Sequence, residues 1–310
     1  MSESKNLQRF PTRIADVGGI PIHRAIPQAA LRKVGAWCFL DHAGPAEPPP
    51  PGMQVGHHPH IGLQTFTWMI EGEVLHRDSL GSEQIIRPGQ VNLMTAGHGI
   101  AHSEEAQTLG VHAAQLWIAL PDSHRNIPPR FQHYPDLPKT QIGDFAVTVL
   151  AGEALGLAAP AEVHSPLMGV DLLASDAASP ARASLPLRED FEHAVMSMSG
   201  EVRVEGEILP SENLIYLPAG TKSVNLECSP GSRLIIIGGE PMDEAILLWW
   251  NFVARTTEEM KEAQTQWEAE AASADDIING QPRRFGKPVA SGLKSLHSPS
   301  LEGVSLRASK

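Results

Sequence analysis

His58-Pro59-His60 and His102-Ser103-Glu104 supply three imidazoles and a carboxylate in two pairs, each pair separated by one residue. Imidazole nitrogens and carboxylate oxygens are ligands for divalent transition metals. Successive side chains on a β-strand point to opposite faces, so 58 and 60 share one face, and so do 102 and 104. Two such strands facing each other would close on one ion. Ligand type does not choose that ion, because imidazole suits Fe, Ni, Cu and Zn, and by the Irving–Williams order a bare N/O site holds Cu more tightly than Fe. Four protein ligands on an ion that prefers six leave two positions for water, dioxygen or a bidentate substrate. With three neutral imidazoles and one carboxylate, a divalent ion keeps a net charge of about +1, which attracts an anionic chelator such as a deprotonated enol or catechol.

Strands are the elements that must position these residues. The segments Ala36–Asp41, Gln64–Ile70, Val74–Asp78, Val91–Thr95 and Ala114–Leu120 are short, apolar or β-branched, and divided by turns at Glu71-Gly72-Glu73 and Arg87-Pro88-Gly89-Gln90. Turn signals at this spacing predict a sandwich or barrel. Short strands are also expected between Ile14 and Ile26. The run from Gly44 to Gly56, with prolines at 45 and 48 to 51, predicts a polyproline II path over the surface that delivers the chain to the His pair. Pro121 to Thr140 is expected to be a surface excursion. The same strand rhythm returns at Phe145–Leu150, Leu167–Leu173, Glu192–Met198, Val202–Val204, Asn213–Leu217 and Arg233–Gly238, as a second copy of the first plan. Thr256 as a cap, carboxylates at 258 and 259, and Met260, Ala263, Gln264 and Trp267 on one face predict a helix from Thr257 to about Ala271. Beyond it, Ser273 to Lys310 is expected to be a draped or mobile tail.

A chain of 310 residues with 42% hydrophobic and 19% charged content is that of a globular protein of about two domains. Its net charge of −12, without a dense basic run, excludes general nucleic-acid affinity. Arg283-Arg284 with Lys287 is the nearest approach to one, and is expected to be a few solvated charges. Cys38 and Cys228 form no disulfide framework, Met1–Leu7 has no apolar signal segment, and no long apolar stretch occurs. A cytoplasmic protein without membrane contact is expected.

The stretch from 56 to 105 carries a resemblance. Gly56-His57-His58-Pro59-His60-Ile61-Gly62, Ile70-Glu71-Gly72, Pro88-Gly89 and Met94-Thr95-Ala96-Gly97-His98-Gly99-Ile100-Ala101-His102-Ser103-Glu104 occur in this order, and together they closely resemble the pirin family of bicupins. Gln115-Leu116-Trp117 and Glu240-Pro241 extend the likeness over most of the chain. The resemblance implies an all-β fold of two cupin domains, jelly-roll sandwiches packed face to face, with a C-terminal helix and tail. The expected divisions are a metal-binding cupin over 1–140, a degenerate cupin without metal over 141–254, and helix and tail over 255–310. It also implies Fe(II) held by His58, His60, His102 and Glu104, one ion per chain, with Ni, Cu, Mn and Zn as substitutes.

Two functions follow from the resemblance. The first is a quercetin 2,3-dioxygenase, in which a flavonol's 3-hydroxyl and carbonyl oxygens approach the metal, Glu104 takes the hydroxyl proton, and ring opening with dioxygen releases carbon monoxide. The second is a non-enzymatic, iron- and redox-dependent regulator acting through a protein partner. A monomer is expected of a bicupin whose domains already pair.

Several residues have a plainer reading. Gln64 stands where the general cupin pattern has a Glu, and can support the site only by hydrogen bonds. Glu105 adjoins Glu104, but alternation points it away. His57 should face the opposite side from His58, and His98 lies in a glycine loop that either lines the pocket or faces solvent. His23, His112, His124, His133 and His164 are expected to be surface or core residues, and Trp68 and Trp117 core aromatics. In the second copy, Glu192-His193-Ala194 has no His pair and Leu217–Ser223 lacks a ligand His, so no metal is expected there; Cys228 is expected to be a small buried residue.

Overall fold

The structure is a computed structural model describing residues 7–45, 52–287 and 291–309. The prolines at 48 to 51 therefore lie outside the described residues. The chain forms two compact units interleaved in sequence: Ala15–Ile22, Ala43–Pro135 and Asp243–Lys310 make one, and Met1–Ile14, His23–His42 and Asp136–Met242 the other.

In the first unit, the strands Gln54–His60, Ile100–Ala106, Val74–Asp78 and Glu83–Ile86 pair in that order, all antiparallel. A second set runs Arg130–Tyr134, Val91–Thr95, Leu63–Glu71 and His112–Ala119, also antiparallel. The inner faces of the two sets meet, since His76 stacks on Phe131 and the His60 ring stands edge-on to Trp117. Met69, Val74, Ile86, Val111 and Ala113 close one part of the space between them. Alternation thus sends 58 and 60 inward with 102.

Arg130–Tyr134 corrects the expected excursion. Prolines flank the segment and mask it in the sequence, but its backbone pairs with Val91–Thr95 and sets Phe131 against His76.

The second unit repeats the plan. One sheet orders Gln8–Pro11, Asn213–Leu217, Glu192–Ser199, Arg233–Gly239, Leu167–Ala174, Phe145–Ala154 and Lys139–Ile142. The other orders Ala181–Pro186, Ser223–Cys228, Val202–Val204 and Glu207–Leu209. Val149, Val170, Val195 and Ile236 from the first share a core with Leu185, Val224, Leu226 and Val204 from the second. Burying these β-branched and leucyl side chains in one apolar core is the main term that favours the sandwich. Cys228 joins that core, and burial pushes its thiol up to about 12.

The one α-helix among the described residues spans Thr257–Ala271, opening on a reciprocal cap in which Thr256 Oγ1 accepts from Glu259 N–H and the Glu259 carboxylate accepts from Thr256 N–H. Met260, Ala263 and Trp267 are buried on the face that packs against Ile61, Ala101 and Phe252. The described part of the tail is draped and tied down at several points. Trp267 Nε1 donates to Leu296 O at 2.8 Å, buried Glu270 accepts from Arg284 and Phe285 N–H, and Phe285 is fully buried beside Trp267. Arg283 is likewise no solvated charge: its guanidinium donates to the carbonyls of Glu270, Ser273 and Asp275, satisfying and neutralising the helix C-terminus, which has no basic residue of its own. No helix among the described residues is long and apolar enough to cross a membrane.

Candidate metal centre

Three imidazoles converge. His58 lies directly across from His102 in the antiparallel pairing of their strands, and ring centroids stand 4.3 Å apart for His58 and His102 and 5.1 Å apart for each of the other two pairs. One nitrogen from each falls within 4.8 Å of the others, and this is the group of metal-competent side chains found among the described residues. Glu104 is not in it. The pairing of the Ile100–Ala106 strand with Gln54–His60 shifts register between His102 and Glu104, and such a bulge re-aims the residue that follows it. Glu104 instead lies across from His76 on the neighbouring strand, partly exposed, with its carboxyl raised above the ordinary range by desolvation.

Hydrogen bonds fix which nitrogen each ring presents. His58 Nδ1–H donates to Gly56 O at 2.7 Å, and His60 Nδ1–H to Asn251 O at 3.1 Å, because a carbonyl can only accept. Their Nε2 atoms are then lone-pair donors facing inward. His60 Nε2 and His102 Nε2 stand 3.1 Å apart, close enough for one proton or one cation to be shared between them. Burial lowers all three basicities: His58 is pushed down to about 4 by desolvation, and His60 and His102 lie well below 6.5 through desolvation and then neighbouring imidazoles. The rings are therefore neutral at pH 7, so no proton need be displaced when an ion enters. The donor set fits a divalent transition metal.

Sequence reasoning missed two residues beside the cluster. His76 Nδ1 lies 3.3 Å from His102 Nδ1, and His76 Nε2 lies 3.1 Å from Asp78 Oδ2. The signal was available, because His76-Arg77-Asp78 has the same one-residue spacing as the two ligand pairs and sits on a paired strand. Trp117, expected in the core, is buried and also lies edge-on to His60 with ring centroids 5.2 Å apart.

The plainer readings sort by face. His57 points away from the cluster and packs on Trp267 at 5.3 Å, where desolvation lowers it to about 4. Glu105 accepts from Arg77 Nη1 at 2.6 Å on the outer side. Gln64 is buried and donates to Thr95 Oγ1 at 2.9 Å, bracing the strand that follows the His pair. His98 lines a separate cleft of about 340 Å³ with Arg125, Glu259, Gln266 and Arg284. His133 bonds Asn92. In the second unit, His193 is buried by itself, and neither ring nitrogen finds a hydrogen-bond partner.

Two jelly-roll sandwiches, one carrying inward-facing imidazoles on adjacent strands, define a bicupin. Residues 19–118 match the family model Pirin, and residues 173–272 match the Pirin C-terminal cupin domain. The chain belongs to the pirin family. It is 51% identical over 289 residues, covering 91% of this chain and 90% of the other, to a Pseudomonas aeruginosa protein named "Putative quercetin 2,3-dioxygenase". A pirin-like protein of Caulobacter vibrioides is 36% identical, with 88% and 96% covered. Among solved structures, a quercetin 2,3-dioxygenase from Acinetobacter baumannii superposes with a TM-score of 0.90 at 48% identity, covering 98% of both chains.

Proposed function

We propose that this chain is a mononuclear iron protein that opens flavonols such as quercetin with dioxygen, consuming one dioxygen and releasing one carbon monoxide per turnover. The observation that carries the reading is the convergence of three buried imidazoles, one nitrogen of each within 4.8 Å of the others. The names of the Pseudomonas and Acinetobacter relatives support the reaction class. His58, His60, His102 and Glu104 would hold the ion, with Fe(II) proposed and Ni, Cu, Mn or Zn as substitutes. When bound, the ion supplies Lewis acidity toward a chelating enolate and a redox partner for dioxygen.

The chain's own residues do the rest. Glu104 is the acidic member of the set and the one partly exposed. As the one carboxylate of the set, it is the residue suited to take the 3-hydroxyl proton. Trp117 beside His60 and Phe131 over His76 surround the imidazoles with aromatic rings.

The test is metal analysis of protein purified without added metal, followed by oxygen uptake and carbon monoxide release across flavonols, simple enols and catechols. One metal per chain and stoichiometric carbon monoxide from quercetin are expected. A metal-loaded protein that consumes no flavonol would overturn the enzymatic reading. A metal-state-dependent partner in the same cells would then be the function to pursue.

A further inference from the structure

The third imidazole of the cluster is oriented differently from the other two. His58 and His60 each rest on a backbone carbonyl, whereas His102 rests on another imidazole, His76, which rests in turn on Asp78. Asp78, His76 and His102 are 2%, 3% and 1% exposed, so water does not substitute for any link. Asp78 Oδ1 accepts from the backbone N–H groups of Leu80 and Ser82 at 2.9 and 3.1 Å, leaving Oδ2 for His76. Phe131 stacks on the His76 ring at 4.2 Å with 12° between planes and holds it in place.

We propose that Asp78 and His76 are positioning residues that set the tautomer of His102 and strengthen it as a metal donor. This rests on the metal-centre reading above. The carboxylate can only accept, so His76 Nε2 carries the proton and its Nδ1 offers a lone pair. His102 Nδ1 must then donate, which turns the His102 Nε2 lone pair toward His60 and the centre. A carboxylate acting through a bridging imidazole makes His102 more electron-rich than a ligand held on a neutral carbonyl.

Asp78→Asn reverses this order without changing shape. The Leu80 and Ser82 N–H groups retain the amide oxygen, so the amide NH₂ faces His76 and donates to Nε2. His76 then carries its proton on Nδ1, and His102 is driven to hold its own on Nε2, where the metal would bind. The same logic explains why an Asn in place of a triad Asp imposes the wrong histidine tautomer.

The experiment reads tautomer and affinity separately. Long-range ¹H–¹⁵N spectra of the metal-free chain should show His102 protonated on Nδ1 in the wild type and on Nε2 in Asp78→Asn. Zn(II) affinity, measured by competition with a chromophoric chelator, should fall about 10–100-fold in Asp78→Asn and in His76→Phe, which keeps the stacking on Phe131. Thermal unfolding of the metal-free variants checks that the fold persists. Unchanged Zn(II) affinity in folded Asp78→Asn, or His102 protonated on Nε2 in the wild type, would overturn the proposal. A wild type that binds no divalent metal at all would instead overturn the metal-centre reading, and the donor role with it, while the tautomer spectra still report on the chain of hydrogen bonds.

Discussion

Single residues were legible wherever strand alternation forced their direction. One-residue spacing put His58 and His60 on one face, where the structure brings them together with His102, and turned Glu105 outward, where it pairs with Arg77. It also put Glu104 beside His102, whereas the register shift between them leaves Glu104 across from His76 and outside the imidazole group. Glu104→Gln removes the one carboxylate of the proposed ligand set, so it should weaken metal binding and, per metal bound, lower flavonol turnover by about 10²–10⁴-fold through loss of the base. Glu105→Gln removes a partly exposed ion pair of small energetic value and should leave turnover unchanged. Carbon monoxide release by the two variants, each with its metal content measured, distinguishes them; equal loss in both would count against Glu104 as the base. His60→Ala opens the cluster at the ring that faces His102, and metal per chain should fall from one toward zero by elemental analysis. His76 and Asp78 carry the same one-residue spacing as the ligand pairs but belong to no familiar signature, and the fold adds that His102 leans on His76 and His76 on Asp78.

At the scale of elements, the helix was readable to its ends because its cap, acidic first turn and apolar face agree, and each is a local property. The strand Arg130–Tyr134 and the fixed tail were not, because what holds them is pairing with distant backbone that composition does not encode. The tail matters to the site. Leu296 N–H donates to His57 O at 2.8 Å, Lys294 O lies where a Cβ at Gly56 would stand, and Trp267 packs on the His57 ring. The helix and tail thus back the strand that carries two of the three imidazoles. Trp267→Ala removes a buried indole touching Phe285 and His57, and should cost about 3–5 kcal/mol in urea unfolding. Thr256→Ala removes only the cap, and should cost about 1 kcal/mol. If the backing is real, Trp267→Ala also weakens metal binding at temperatures where the fold persists, whereas Thr256→Ala does not.

At the scale of the whole molecule, repetition of the sandwich was visible in the strand rhythm, but the interleaving of the two units was not. Gln8–Pro11 pairs with Asn213–Leu217, a partnership of segments about two hundred residues apart that no local pattern announces. Repetition without the ligand set leaves a measurable trace in the second unit. His193 is buried beneath Phe191 and Gly238 with both ring nitrogens unpartnered, and desolvation pushes it down to about 4 from an ordinary 6.5. Above pH 6.5 the ring is neutral in both folded and unfolded chains, and it contributes no pH dependence. Between 6.5 and 4 the unfolded chain takes up a proton that the folded one refuses, so stability falls as pH falls; below 4 the loss is complete. The full span is worth roughly 3 kcal/mol, and the step from pH 7 to pH 5 about 2 kcal/mol. His193→Leu removes this term while keeping an apolar side chain in an apolar core. In the metal-free chain, calorimetric unfolding of the second unit should therefore lose about 2 kcal/mol more stability between pH 7 and pH 5 in the wild type than in His193→Leu. Identical pH slopes would show that the His193 ring reaches solvent or a proton acceptor when the second unit is folded.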